Sequence, residues 1–122
     1  MMKHILEFNN YQNLNEEELM EMANVDSKKT GIDNVVIWIG PNPSQHWKRI
    51  KVSNKANSFD GSDCFTLIIP EFKIIGNVNS KLINSDVLER IKLFVNKNLQ
   101  TIIDYSEYKT STSDLLDNLK KI

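Results

Sequence analysis

The chain reads as an α+β domain: a mostly antiparallel sheet of about four to five strands, with a long amphipathic helix across one face and short helices near both ends. Three stretches carry this reading. Residues 35–39, "VVIWI", are continuously apolar and rich in β-branched side chains, the pattern of a strand covered on both faces. "CFTLII" (64–69) and "FKIIGNV" (72–78) are two β-rich runs flanking Pro70-Glu71, which predicts a hairpin. From Ser85 onward, Val87, Leu88, Ile91, Phe94, Val95, Leu99, Ile102 and Ile103 recur at steps of three and four. That is one apolar stripe on a helix of about 20 residues.

The remaining elements follow in order. "MKHILEF" (2–8) reads as a short strand. "NEEELMEMA" (15–23) reads as a helix of about two turns: Asn15 caps it, and Glu16 to Glu18 occupy the first turn, where the helix dipole favours anions. "VDSKKTGIDN" (25–34) is polar and ends that helix, with Gly31 a turn residue. "GPNPSQ" (40–45) is a loop, because Gly40, Pro41 and Pro43 all break regular structure. "HWKRIKVS" (46–53) alternates: Lys48, Ile50 and Val52 share one face, and Trp47, Arg49, Lys51 and Ser53 the other. The polar second face predicts a half-exposed strand, and its charges suit a sheet edge. "NKANSFDGSD" (54–63) is a polar connection with Asp60-Gly61 near its tip. Asn84 or Ser85 caps the long helix, and Glu89 precedes Lys92 by three on its outer face. "STSDLLDNLKKI" (111–122) predicts a terminal helix capped by Ser113, with Leu115, Leu116, Leu119 and Ile122 on its apolar side. That stripe packs on the chain's own core or docks on a partner or a second copy.

The totals set bounds on function. A chain of 122 residues is the size of one domain, residues 1–122, and buries roughly two thirds of the surface its unfolded form exposes. The net charge is −1, so no global field draws in nucleic acid or an anionic membrane. A nucleic-acid role would need a local basic patch. A single cysteine, Cys64, cannot staple its own chain and reads as a small buried hydrophobe. "MMKHILEFNN" is too short and too polar for a signal peptide, and no apolar run approaches ~18 residues, so a cytoplasmic location away from membranes is expected.

The surface placed best for recognition is the stretch from Asn42 to Lys51. His46 begins a strand after a proline-rich loop; if the protein is an enzyme, it is the candidate acid or base, with Asp60 or Asp63 as conceivable partners. Trp47, Arg49 and Lys51, alternating onto one face at about 7 Å per two-residue step, make an aromatic-and-cation row suited to an anionic ligand. Arg49 is one of two arginines in a lysine-rich chain, and its planar fork matches a carboxylate or phosphate. Two histidines and one cysteine without close spacing exclude a structural zinc site on pattern, and no cofactor is expected. "SKKTG" lacks the earlier glycine of a phosphate-cradling loop, and there is no nucleophile-elbow motif.

The order "TGIDNVVIWI", "NPSQHWKRIKVS", two strands, a Gly-Asn step and a helix ending "FVNKNLQTIIDYSEYK" resembles a group of small bacterial and phage proteins of unknown function. Members carry a Pro-Pro-His-Phe-His-like motif before a strand and a closing helix of hydrophobic-basic pattern. Some lie beside small partner proteins, which implies toxin–antitoxin or counter-defence roles. The resemblance spans roughly residues 30–108. Here Lys48 stands at the second histidine, and Pro41 and Pro43 are not adjacent. Only His46 carries over, with Arg49 and Lys51 as anion contacts, which argues against carrying over an enzymatic activity. The leading expectation is therefore a non-catalytic module that binds a protein partner or a small anionic ligand. An RNA- or nucleotide-acting enzyme using His46, and a structural subunit forming a homo-oligomer, are the alternatives.

Overall fold

The computed structural model describes residues 22–43 and 46–122. The strand expected over 2–8 and the helix expected from Asn15 lie outside the described residues, except that Ala23, at the expected end of that helix, begins a strand. Five strands form one sheet in sequence order, every neighbouring pair antiparallel. They are β1 (Ala23–Val25), β2 (Ile37–Ile39), β3 (Lys48–Ser53), β4 (Cys64–Ile69) and β5 (Lys73–Ile75). A one-turn helix, α1 (Ser27–Thr30), joins β1 to β2. Three helices follow the sheet: α2 (Ser85–Lys97), α3 (Leu99–Ser106) and α4 (Thr112–Asn118). The α+β class, the mostly antiparallel sheet and the hairpin around Pro70-Glu71 are all present.

Cross-strand register sorts the sheet into two faces. Ile37 opposes Val52, which opposes Phe65; Ile39 opposes Ile50, which opposes Leu67. These six residues share one buried cluster with Ile91, Phe94 and Val95 of α2, Ile102 and Tyr105 of α3, and Leu115 of α4. The helical stripe read from the sequence is thus the cover of that face. On the opposite face, Trp38 opposes Lys51, which opposes Thr66. Trp38 there joins a smaller cluster with Met22 and Val36, to which no residue of the four described helices belongs.

Two expectations are corrected. β3 is not an edge strand and is not half-exposed: it is the middle strand of the five, and Lys51 and Ser53 on its polar face are 2% and 0% exposed. Alternation of polarity reports what a strand carries, and burial is decided by what packs on it. The long helix, in turn, is two: α2 has 13 residues and α3 has 8, with Asn98 between them at φ −112°. Asn98 is buried, and its side chain serves two masters. Its Nδ2 donates to the Phe94 carbonyl at 2.9 Å and to the Lys120 carbonyl at 2.8 Å, while its Oδ1 accepts from the Lys120 N–H at 2.7 Å. A side chain that bonds backbone groups of the preceding turn competes with helix continuation. The stripe runs on across the break because the cluster beneath continues.

The caps follow ordinary rules. Asn84 accepts from Val87 N–H at the start of α2. α4 is capped by Ser111 rather than Ser113, in a reciprocal capping box with Asp114. Gly31 closes α1 in the left-handed region at φ 79°. The chain end lies against it: the Ile122 N–H donates to the Thr30 carbonyl at 2.9 Å, and a Cβ on Gly31 would sit 2.2 Å from the Ile122 carbonyl oxygen. Gly31→Ala therefore combines a left-handed backbone with a backbone clash, and a loss of about 2 kcal/mol or more is expected in urea denaturation. A loss below ~0.5 kcal/mol would show that residues 120–122 do not stay docked.

Candidate functional site

The proline-rich loop is fastened to the end of α3. The Asn42 N–H donates to the Ser106 carbonyl at 2.8 Å, and Asn42 Nδ2 donates to the Trp47 carbonyl at 3.0 Å, closing the loop across its own mouth. Lys48 completes the clasp. It stands at the end of the core-facing row of β3, opposite Ile69, and is 4% exposed. Its Nζ donates to the Asn42 carbonyl at 2.9 Å and forms a short ion pair with Glu107 just beyond α3. A buried ammonium is tolerated only when its charge is met and its hydrogens are bonded.

The helix end at this clasp has an unusual residue. The Lys109 N–H donates to the Asp104 carbonyl and the Tyr108 N–H to the Tyr105 carbonyl, the paired bonds of a Schellman cap. The left-handed position of that cap is ordinarily glycine; here it is Tyr108, at φ 62°. A bulky residue there costs about 1–2 kcal/mol. Tyr108 is also 69% exposed, the most exposed large apolar side chain among the described residues.

Between loop and cap lies a groove of about 440 Å3, lined by Pro41, Tyr105, Tyr108, Thr110, Ser111 and Thr112. Its polar groups are hydroxyls. Tyr105 Oη and Thr112 Oγ1 bond each other at 3.0 Å, and Ser111 Oγ accepts from the Asp114 N–H. Thr110 Oγ1 is buried and has no partner. An unpaired buried hydroxyl costs about 1–3 kcal/mol, so it marks a place where a bonding group is missing. Among the described residues, no carboxylate or ammonium lines the groove.

The sequence-derived site residues divide. Asn42 and Lys48 are used to build the clasp, so Asn42 acts on structure before it acts on any ligand. Trp47 and Arg49 are half-buried and Lys51 is buried, so the three do not form an open row. His46 is exposed. Asp60 and Asp63 do not approach it, because the loop that carries them leaves the far end of β3, six residues or about 20 Å away. Asp60 instead accepts from the Ser62 N–H and hydroxyl and from Lys55; the Ser62 N–H foremost, then Lys55, holds its carboxyl below the usual range. Asp63 accepts from Asn54 at 3.0 Å. Among the described residues, no group of three or more His, Cys, Asp or Glu is gathered as metal ligands, and no helix is long and apolar enough to cross a membrane. Tyr105, Tyr108 and Thr110 were missed by sequence reasoning. The available signal was a helix ending in "YSEYKTS" with no glycine to cap it.

Comparison with models of protein families, with curated proteins and with solved structures finds no match.

Two outcomes follow from this geometry. Lys48→Met keeps the apolar stem and removes the charge, leaving the Asn42 carbonyl without its ammonium; a loss of about 2 kcal/mol is expected by chemical denaturation, a discounted figure because Glu107 is partly solvated. No change in midpoint would show that the clasp contributes nothing. Burial pushes the Cys64 thiol up to about 11, and the Lys51 ammonium offsets this only in part. A raised pKa means less thiolate at neutral pH, so iodoacetamide should label native Cys64 at pH 8 roughly tenfold or more slowly than the unfolded chain. The native rate should climb as the pH approaches 11. Equal rates for native and unfolded protein would contradict this placement.

Proposed function

We propose that the protein is a non-catalytic binding module that recognises a protein partner through the groove between Pro41 and the end of α3. The observation that carries this reading is Tyr108: an exposed aromatic ring held in a left-handed cap position where glycine would be unstrained. Strain retained at an exposed position of this kind supports a use for the side chain outside the fold. Tyrosine is also among the side chains most favoured at interfaces, because it offers a large rigid face with a polar tip. A protein partner is favoured over a small anionic ligand because two of the cations carried by β3 are turned into the fold. Lys48 is buried against Glu107, and Lys51 is buried in the sheet. An inhibitor or antitoxin-like role in a bacterial or phage setting is the form this reading takes under the motif resemblance of residues 30–108.

The test separates binding from folding. Tyr108→Gly removes the ring and relieves the backbone, so its melting temperature should stay level or rise slightly, with relief of ~1 kcal/mol set against the added flexibility of glycine. Random peptides displayed on phage and panned on the wild-type protein should yield sequences whose affinity falls about tenfold or more on Tyr108→Gly. Panning that enriches nothing, or only peptides indifferent to Tyr108, would remove the groove as a partner site.

A further inference from the structure

We infer that the groove beside Tyr108 takes an extended, proline-containing peptide segment, an assignment that rests on reading the groove as a partner site and names the partner's chemistry. The described residues of the lining are uncharged and rich in hydroxyl groups. Thr110 Oγ1 is buried without a partner. Ser111 Oγ accepts the Asp114 N–H and keeps its own hydrogen to donate. Of Tyr105 Oη and Thr112 Oγ1, one donates to the other, which leaves one hydrogen over. These hydroxyls accept as well as donate, and a neutral ligand that presents acceptors makes use of the spare hydrogens. A polyproline II segment is that ligand: its backbone makes no internal hydrogen bonds, its carbonyls point outward, and each proline lacks an N–H that would need an acceptor.

The apolar part of the lining agrees. The exposed Tyr108 ring and the Pro41 ring border the same space. Aromatic-lined grooves of this kind hold proline-rich segments, which enter already extended and lose little conformational entropy. One turn of polyproline II is three residues and about 9 Å, a length that a groove of about 440 Å3 accommodates. Other occupants fit less well. An added β-strand needs an open strand edge, whereas the groove is lined by a loop and the ends of α3 and α4. A phosphate or carboxylate would need a cation, and none of the described residues that line the space is one.

Fluorescence polarisation of a labelled decaproline peptide against the purified chain tests this, with a Gly-Ser peptide of equal length as control. Saturable binding of decaproline alone is expected, weakened about tenfold or more by Tyr108→Gly and several-fold by Thr110→Val. Thr110→Ser keeps the hydroxyl and should bind like wild type, which separates its donor role from a packing role. Thermal melts of each variant establish that it is folded. Absent binding of decaproline to the wild type overturns the inference, as does binding that Tyr108→Gly leaves unchanged. If decaproline fails while display-selected peptides of other composition bind in a Tyr108-dependent way, the proline assignment falls and the partner site stands. If neither binds, both fall.

Discussion

The middle strand of this sheet is closed on both sides, and much of the remaining structure follows from that constraint. β3 brings Lys48, Lys51 and Ser53 into surroundings that exclude water. Each polar group it brings must then find a bonding partner within the protein. For Lys48 the solution is visible: its ammonium reaches the Asn42 carbonyl and the Glu107 carboxylate. One buried cation thereby ties the strand to the loop before it and to the helix that lies across the sheet. Asn42 adds its own bonds to Ser106 and Trp47. The groove exists because this clasp holds the loop at a set distance from the end of α3.

The chain leaves helical geometry twice on the way through that region, by different means. At Asn98 the exit is driven by a side chain, whose amide takes a carbonyl of the preceding turn and both backbone groups of Lys120. Those bonds are buried, and they fasten the chain end against the junction of α2 and α3. At Tyr108 the exit is driven by the backbone, with a left-handed residue closing a Schellman cap. The first exit is satisfied internally and serves the fold. The second places a largely exposed ring on a left-handed backbone, and the same groove is lined by Thr110, whose hydroxyl is unpaired. That difference is why the candidate site sits at the second exit.

Sequence reasoning reached the neighbourhood of the site but not its residues. The 40–45 loop was legible because Gly40, Pro41 and Pro43 forbid regular structure. The role of Lys48 was not: alternation placed it on the face of Ile50 and Val52, but its partners, the Asn42 carbonyl and Glu107, come from outside the strand. Tyr105 and Tyr108 were absorbed into the end of a long helical pattern. Thr110 is one of four consecutive hydroxyl residues, and only the packing shows that Ser111 caps, Thr112 meets Tyr105 and Thr110 is left over. Of the row of Trp47, Arg49 and Lys51, the structure buries Lys51 and leaves Trp47 and Arg49 partly exposed.

By itself the sequence determined the local elements that depend on near neighbours: the α+β class, the hairpin about Pro70-Glu71, the apolar stripe of α2 and α3, and a cap at Asn84 or Ser85. Periodicity and capping are interactions within a few residues, so they are written in the order of the side chains. Tertiary structure alone decided the rank of β3 within the sheet, the break at Asn98 and the groove at Tyr108. Each of these rests on distant segments brought together: β3 between β2 and β4, Asn98 against Lys120, and Pro41 and Tyr108 on one groove. Whether a polar residue is exposed, bonded or orphaned depends on which surface arrives opposite it, and no local pattern carries that information.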